Sequence, residues 1–308
     1  MSERVLIVGV AGGHGRLLAR RLRGQHAVIG VDREPGSVRL PDLPFYRADL
    51  RKRAFEDVLR KERPTAVVHL GLQRHFRDRP ELRYDHNVRG TRVLLDLCRR
   101  YEVAKLVVLS SSYVYGALPE NPYFMEEDYP LCGSRNYPEI RDLIEVDALT
   151  TAFTWRHPSV TTSVLRPVST LGRTLRSSFR SYLEMPRVLV MMGFNPMIQF
   201  IHEDDLTEAI ALALERDLRG AYNVVGPGEV PLRVAIRETG GRELAVPEIL
   251  ARPLLRRLHA AGLFPFPPGA MDYLKYPCTI SGKRFAQATG FTPQFGLREI
   301  FRSLRRGR

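Results

Sequence analysis

Val5-Leu6-Ile7-Val8 runs straight into Gly9-Val10-Ala11-Gly12-Gly13-His14-Gly15, and this junction constrains the fold more than any other stretch. The first four residues are a short apolar run rich in β-branched side chains, the pattern of a strand buried on both faces. Arg16 to Leu22 then reads as a helix, with Leu18 and Leu22 on one face. Between them Gly9, Gly12 and Gly15 stand at the spacing G-x-x-G-x-x-G. Glycines there permit a tight turn, a close backbone approach to phosphate and close packing of the helix. The helix N-terminus adds free N–H groups and a partial positive charge. Gly9 to Gly15, with Gly13 and His14 among them, are therefore a candidate dinucleotide pyrophosphate site.

Three glycines at a fixed spacing arise by chance often enough in a chain with 24 of them, so the surroundings must decide. Ala27-Val28-Ile29-Gly30-Val31 is a second expected strand, and Asp32 ends it. An acid about 20 residues beyond the glycines is where a ribose hydroxyl acceptor is needed. Asp32 would accept both hydroxyls of an adenine ribose and repel a 2′-phosphate, which selects NAD over NADP. Arg33 beside it softens that selection.

Further on, Phe45 to Ala48, Ala66 to Leu70, Lys105 to Leu109 and Thr161 to Leu165 read as strands. Helices are expected over 51–61, over 81–100 and from Tyr137 to about Phe153. Strands alternating with helices imply a parallel, doubly wound α/β sheet. We assign 1–167 to a dinucleotide-binding domain, to which 196–225 returns. Segments 168–195 and 226–308 are assigned to a smaller substrate-binding lobe.

The chain has 308 residues, enough for one large domain or two intimate ones, and its 44% hydrophobic content is ordinary for a globular fold. No apolar run reaches the ~18 residues of a transmembrane helix. The first residues read as a strand without a signal-peptide pattern, and Cys98, Cys132 and Cys278 are widely spaced. These features point to a cytoplasmic protein and exclude a CxxC metal or redox site. The histidines lack ligand spacing, so no metal is expected. The net charge of +13 is carried mostly by arginines scattered over expected helix faces, and segment 51–63 mixes both signs. With no aromatic-basic motif and no zinc-finger spacing, no nucleic-acid partner is expected.

At Leu109-Ser110-Ser111-Ser112-Tyr113-Val114-Tyr115-Gly116 the chain resembles the S-S-x-x-V-Y-G segment of the extended short-chain dehydrogenases/reductases, which include the NAD-dependent nucleotide-sugar epimerases and dehydratases. Other landmarks of that family fall in order. They are His69-Leu70-Gly71 for H-x-A-A and Asn87-Val88-Arg89-Gly90-Thr91 for N-V-x-G-T. Leu165-Arg166-Pro167 comes next, then Phe200-Ile201-His202-Glu203-Asp204-Asp205-Leu206 for F-I-H-V-D-D-L. The resemblance implies a Rossmann-type sheet and an NAD cofactor. It implies Asp49 and Leu50 at the adenine, His69 to Gly71 along the cofactor groove, and Asn87 on the nicotinamide side. It also implies a homodimer, for which Val88, Leu94, Leu95, Leu97, Val146, Leu149 and Phe153 offer apolar material. On residue grounds alone, Asp49 also reads as an N-cap for the helix after it and Asn87 as a polar helix-surface residue.

Members of this family use a Ser or Thr with a Tyr-x-x-x-Lys pair. The hydroxyl holds the substrate oxygen, the Tyr moves its proton, and the Lys lowers the Tyr pKa and holds the nicotinamide ribose. By position the hydroxyl is Ser111, with Ser112 next in line at the substrate, and the tyrosine is Tyr137. Glu145 matches the last residue of Y-x-x-x-K-x-x-x-E, but Arg141 stands at the Lys. A tyrosine with an ordinary pKa near ~10 needs a nearby cation to act as a base at neutral pH. Arg supplies the charge, and being never deprotonated it cannot relay a proton. A true Y-x-x-x-K, Tyr101 to Lys105, leads into a strand and falls at the wrong end of a parallel sheet.

In the second half Ser169 stands where family members often carry an Asn at the substrate, and Ile198 or Gln199 where they often carry a diphosphate-binding Arg. The expected partner is a small molecule, a nucleotide-sugar or related hydroxyl compound, epimerised through transient hydride transfer. Two other readings stay open. Arg141 favours a dinucleotide-binding protein with weak or lost catalysis. Segment 247–269, basic on one side and apolar on the other, favours a reductase of an apolar, steroid-like carbonyl compound. That segment reads as an ordinary amphipathic helix on the substrate lobe, or as a peripheral contact with an anionic membrane.

Overall fold

A computed structural model describes residues 3–34, 43–74, 79–264 and 266–304; Pro265 of the basic segment lies outside them. The main sheet contains β1 (Arg4–Val8), β2 (Ala27–Asp32), β3 (Phe45–Arg47), β4 (Ala66–His69), β5 (Lys105–Leu109), β6 (Thr161–Pro167) and β10 (Gly220–Val224). All seven strands are parallel, in the order β10-β6-β5-β4-β1-β2-β3. The order turns back between β1 and β4, so a crevice opens there at the carboxyl edge of the strands.

Successive residues of each strand feed opposite cores. Leu6, Val8, Ile29, Val31, Val67, Leu106 and Val108 belong to one. Val5, Ile7, Val28, Val68, Val107 and Leu109 belong to the other. Both faces are covered, which is why these strands read as unbroken apolar runs. The helices are α1 (Gly13–Leu22), α2 (Arg53–Glu62), α3 (Pro80–Tyr84), α4 (Gly90–Arg100), α5 (Arg141–Arg156), α6 (Ser178–Leu183) and α7 (Glu203–Glu215). They continue with α8 (Leu232–Glu238), α9 (Glu248–Ala260), α10 (Lys283–Thr289) and α11 (Leu297–Leu304). Leu18 and Leu22 of α1 enter the second core as their spacing requires.

Three expectations change. The helix expected over 81–100 is interrupted by a π-helical turn at Asp85–Arg89, in which His86, Asn87 and Val88 are buried. Such turns favour functional places. The helix expected from Tyr137 begins only at Arg141, after a tight 3-10 turn at Pro138–Ile140. Pro138 keeps Tyr137 itself out of the helix, because the residue before a proline is driven out of helical conformation; Tyr137 has φ −128 and ψ 72. The stretch 196–225 returns only in part. β9 (Met197–His202) is instead held between β7 (Ser169–Leu171) and β11 (Glu229–Pro231), while α7 and β10 rejoin the main sheet. β8 (Arg187–Met191) pairs with β12 (Arg242–Val246).

The apolar residues offered for a dimer are largely used within the chain. Val88, Leu94, Leu95, Leu97, Val146 and Phe153 are buried in one core, and Leu149 packs half-buried against it. α4 turns Arg92, Asp96 and Arg99 outward. No helix among the described residues is long and apolar enough to cross a membrane.

Candidate active site

A cavity of about 690 Å³ opens at the carboxyl edge of the main sheet. At one end lies the glycine turn. Gly9 has φ +85, and a Cβ there would stand 2.6 Å from Gly71. A Cβ on Gly15 would stand 2.3 Å from the Gly9 carbonyl oxygen, so Gly15 serves close packing and does not line the cavity. Gly9, Gly12, Gly13, His14, Leu70 and Gly71 do line it. Gly12 caps α1 without any side-chain bond to the first N–H groups of the helix. Asp32 Oδ2 accepts the Ala11 N–H at 3.0 Å, which seats the carboxylate on the turn. Asp32, Arg33, Leu50 and His86 line the same cavity.

Two expected cofactor residues have other partners. Asp49 does not line the cavity. It pairs with Arg51 at 2.5 Å and accepts the Arg51 N–H at 3.0 Å, a local turn ahead of α2, whose N-cap is Lys52 and not Asp49. That guanidinium holds the carboxyl far below the ordinary range. Asn87 is wholly buried and likewise off the cavity. Its amide accepts the Gln73 N–H at 2.8 Å and donates to the Gln73 carbonyl at 2.9 Å and to Asp142 at 2.6 Å. Asn87 thus braces the loop after β4 from behind.

At the other end Ser111, Tyr113, Tyr137 and Ser169 meet Tyr273, Phe179 and Phe266. The Tyr113 and Tyr273 rings stack edge to face at 4.7 Å, and the Tyr137 and Tyr273 rings at 5.9 Å. The Tyr273 hydroxyl donates to the Tyr113 carbonyl at 2.6 Å, and the Tyr113 and Ser169 hydroxyls share a 2.9 Å bond. Burial pushes Tyr113 up to about 12, and it pushes Tyr137 and Tyr273 well above the ordinary phenol value. Ser112 faces a separate small void beside Cys278, whose Sγ donates to the Ser112 carbonyl.

Arg141 is not in this cavity. It opens α5, is exposed, and lies near Tyr84 and Glu145. The next residue, Asp142, turns inward and pairs with buried Arg83 at 2.9 Å. Arg83, not Arg141, is the cation that draws the Tyr137 pKa down, and burial outweighs it. With α5 starting only at Arg141, the four-residue spacing no longer sets Tyr137 and Arg141 side by side on one helix face.

Other residues were not legible as site residues. Arg74 reaches the Leu109 carbonyl across the cavity, and burial lowers its pKa to about 10. His14, beside it, is lowered to about 3 by burial first and by Arg74 second. A strap over 174–179 forms another wall. Glu203 holds it by accepting the Thr174 N–H at 3.0 Å and the Leu175 N–H at 2.9 Å. Glu203 stands where the family motif has Val, the one sequence signal that could have found the strap.

Residues 5–225 match the model of the NAD dependent epimerase/dehydratase family. The chain belongs to that family. Among its relatives is an uncharacterized protein of Mycobacterium tuberculosis, 27% identical over 99% of this chain and 84% of the other. UDP-glucose 4-epimerase 2 of rice is 34% identical over 46% of this chain and 38% of its own. The solved structure of Thermus thermophilus UDP-glucose 4-epimerase in complex with NAD has a TM-score of 0.77 at 25% identity, covering 98% of this chain and 97% of the other. As expected of the NAD dependent epimerase/dehydratase family, the residues of this member fit the dinucleotide. Gly9 lets the turn pack directly against Gly71 beside the cavity, and the side-chain-free N-cap of α1 leaves N–H groups for phosphate.

Proposed function

We propose that this protein is an NAD-dependent oxidoreductase of the epimerase type, acting on a nucleotide-sugar or related hydroxyl compound. Tyr137 is the proton-transferring group and Ser111 the hydroxyl that holds the substrate oxygen. The observation that carries the reading is that both line the same cavity as Gly9, Gly12, Gly13 and Asp32. Gly9 to His14 and Asp32 would hold NAD, with Arg33, Leu50, Leu70 and Gly71 along it. NAD held there would supply reversible hydride transfer at the substrate carbon. Tyr137 keeps its proton in the buried site, so its phenol is poised to donate to a substrate carbonyl oxygen. Removing a proton from a substrate hydroxyl requires further positive charge near Tyr137 than Arg83 supplies.

Asp32 favours NAD over NADP. Calorimetry is expected to give NAD(H) at least tenfold tighter binding, about 1.4 kcal/mol. Tighter NADP(H) binding would overturn this assignment of Asp32. A second reading, a dinucleotide-binding protein with weak or lost catalysis, is favoured by the exposure of Arg141 outside the cavity. The two separate when purified protein is mixed with UDP-sugars and apolar carbonyl compounds while nicotinamide absorbance and product are followed. Turnover of a UDP-sugar supports the first reading. Dinucleotide binding with no turnover supports the second.

A further inference from the structure

We propose that α9 and the turn after it form a docking surface for an anionic phospholipid bilayer. An amphipathic helix packed on a lobe turns its large apolar side chains inward. α9 does so with Leu255 and half-buried Leu258 and leaves its other large apolar side chains outward. Only Ala251 and Leu255, one turn apart, are buried on it. Ile249 is 87% exposed, Leu250 59%, Leu254 36%, and Leu263 in the following turn 66%. These are four of the eleven exposed large apolar side chains among the described residues, gathered within fifteen positions. Met192 extends the patch at the start of α9, since its N–H donates to the Val246 carbonyl at 3.0 Å and its side chain is exposed.

The charge around these side chains is positive. Arg252 and Arg256, one turn apart, border the apolar sector, and Arg257 stands within it; all three are exposed. The one acid on α9, Glu248, is paired with Lys275 at 2.7 Å. Cations alone would suit any polyanion. Isoleucine and leucine tips among them suit a surface whose phosphates overlie hydrocarbon. A nucleic acid rewards exposed stacking rings, and α9 carries no Phe, Tyr or Trp; its one ring, His259, is half-buried against the Phe264 carbonyl. The chain's net charge of +13 adds long-range attraction to the same surface.

The test is co-sedimentation of the full chain with vesicles of phosphatidylglycerol and phosphatidylcholine, against vesicles of phosphatidylcholine alone, at low and high salt. Partition onto the anionic vesicles is expected to be at least tenfold stronger and to fall with salt. Ile249→Asp with Leu250→Asp should lower it at least tenfold while leaving the melting temperature unchanged, and Arg252→Glu with Arg256→Glu should do the same. Equal partition onto both vesicle types, no partition, or either double variant binding as wild type does would overturn the proposal. So would a wild-type dimer by light scattering that Ile249→Asp with Leu250→Asp converts to monomer without any vesicle binding, because the patch would then serve a second copy of the chain.

Discussion

Arg83 and Asp142 form an ion pair at 2.9 Å with both side chains almost wholly buried. The Arg83 guanidinium also reaches the Glu139 carbonyl, and Asp142 accepts from Asn87 at 2.6 Å. This network ties α3 to the start of α5, and through Asn87 to the loop at Gln73. It decides which residue of the Tyr137 segment turns inward.

Removing one partner of a buried pair strands the other. Asp142→Ala is expected to lower stability by about 3–5 kcal/mol, read by urea denaturation. A loss under about 1 kcal/mol would mean that water reaches Arg83 and that the network is not what holds α5.

Tyr137 and Arg141 should respond very differently. Tyr137→Phe is expected to lower turnover at least ~100-fold, the scale for removing a positioned proton-transfer group. Arg141→Lys should leave the rate within about twofold and the pH optimum in place, because an exposed charge outside the cavity is screened by solvent. A shifted pH optimum in Arg141→Lys would return Arg141 to the site.

Gly13 and Leu175 meet across the cavity: a Cβ on Gly13 would stand 2.3 Å from Leu175 Cδ2. The obstacle is the end of a flexible side chain, so Gly13→Ala is expected to cost no more than about 1 kcal/mol as Leu175 shifts. Leu175→Ala alone should cost about 2–5 kcal/mol as a buried leucine, and less in the chain that also carries Gly13→Ala, whose methyl fills part of the space. Gly9→Ala should find no such relief, since its obstacle is the Gly71 backbone and its φ is +85. Thermal melting of the two single variants and the double variant is the check.

Stability should fall in mild acid. His69 is buried against Thr91, whose hydroxyl donates to the Asn87 carbonyl at 2.6 Å, so His69 Nε2 carries the donor hydrogen. Burial lowers its pKa from 6.5 to about 3. Between those values the unfolded chain binds a proton that the folded chain refuses. The contribution is complete above the unfolded value and is lost as pH falls toward 3, by at most about 1.4 kcal/mol per pH unit. Denaturation curves at a series of pH values should show a shallower slope for His69→Gln than for wild type. Equal slopes would mean that His69 charges within the fold.

Much of the fold was legible because its signals are local. The apolar runs at Val5, Ala27, Ala66 and Lys105 became neighbouring strands, since burial on both faces leaves nothing but apolar residues. Gly9 and Asp32 could be read as one site because a strand, a turn and a helix carry their geometry with them. The catalytic constellation was legible only in part. Ser111 and Tyr137, proposed by position, line one cavity. Arg141 lies outside that cavity, because a four-residue spacing has meaning only inside a helix, and the helix starts only at residue 141. Asn87 and Asp49 have the right residue types, but their partners are a distant loop and a neighbouring arginine. Tyr273, Arg74 and the strap held by Glu203 come from separate segments, and no spacing in the chain announces that they meet. Local sequence determined the strands, the turn and the cofactor class, because each depends on residues within one or two turns of chain. The tertiary structure decided which charges stand beside Tyr137, because that depends on desolvation and on pairs such as Arg83 and Asp142, 59 residues apart.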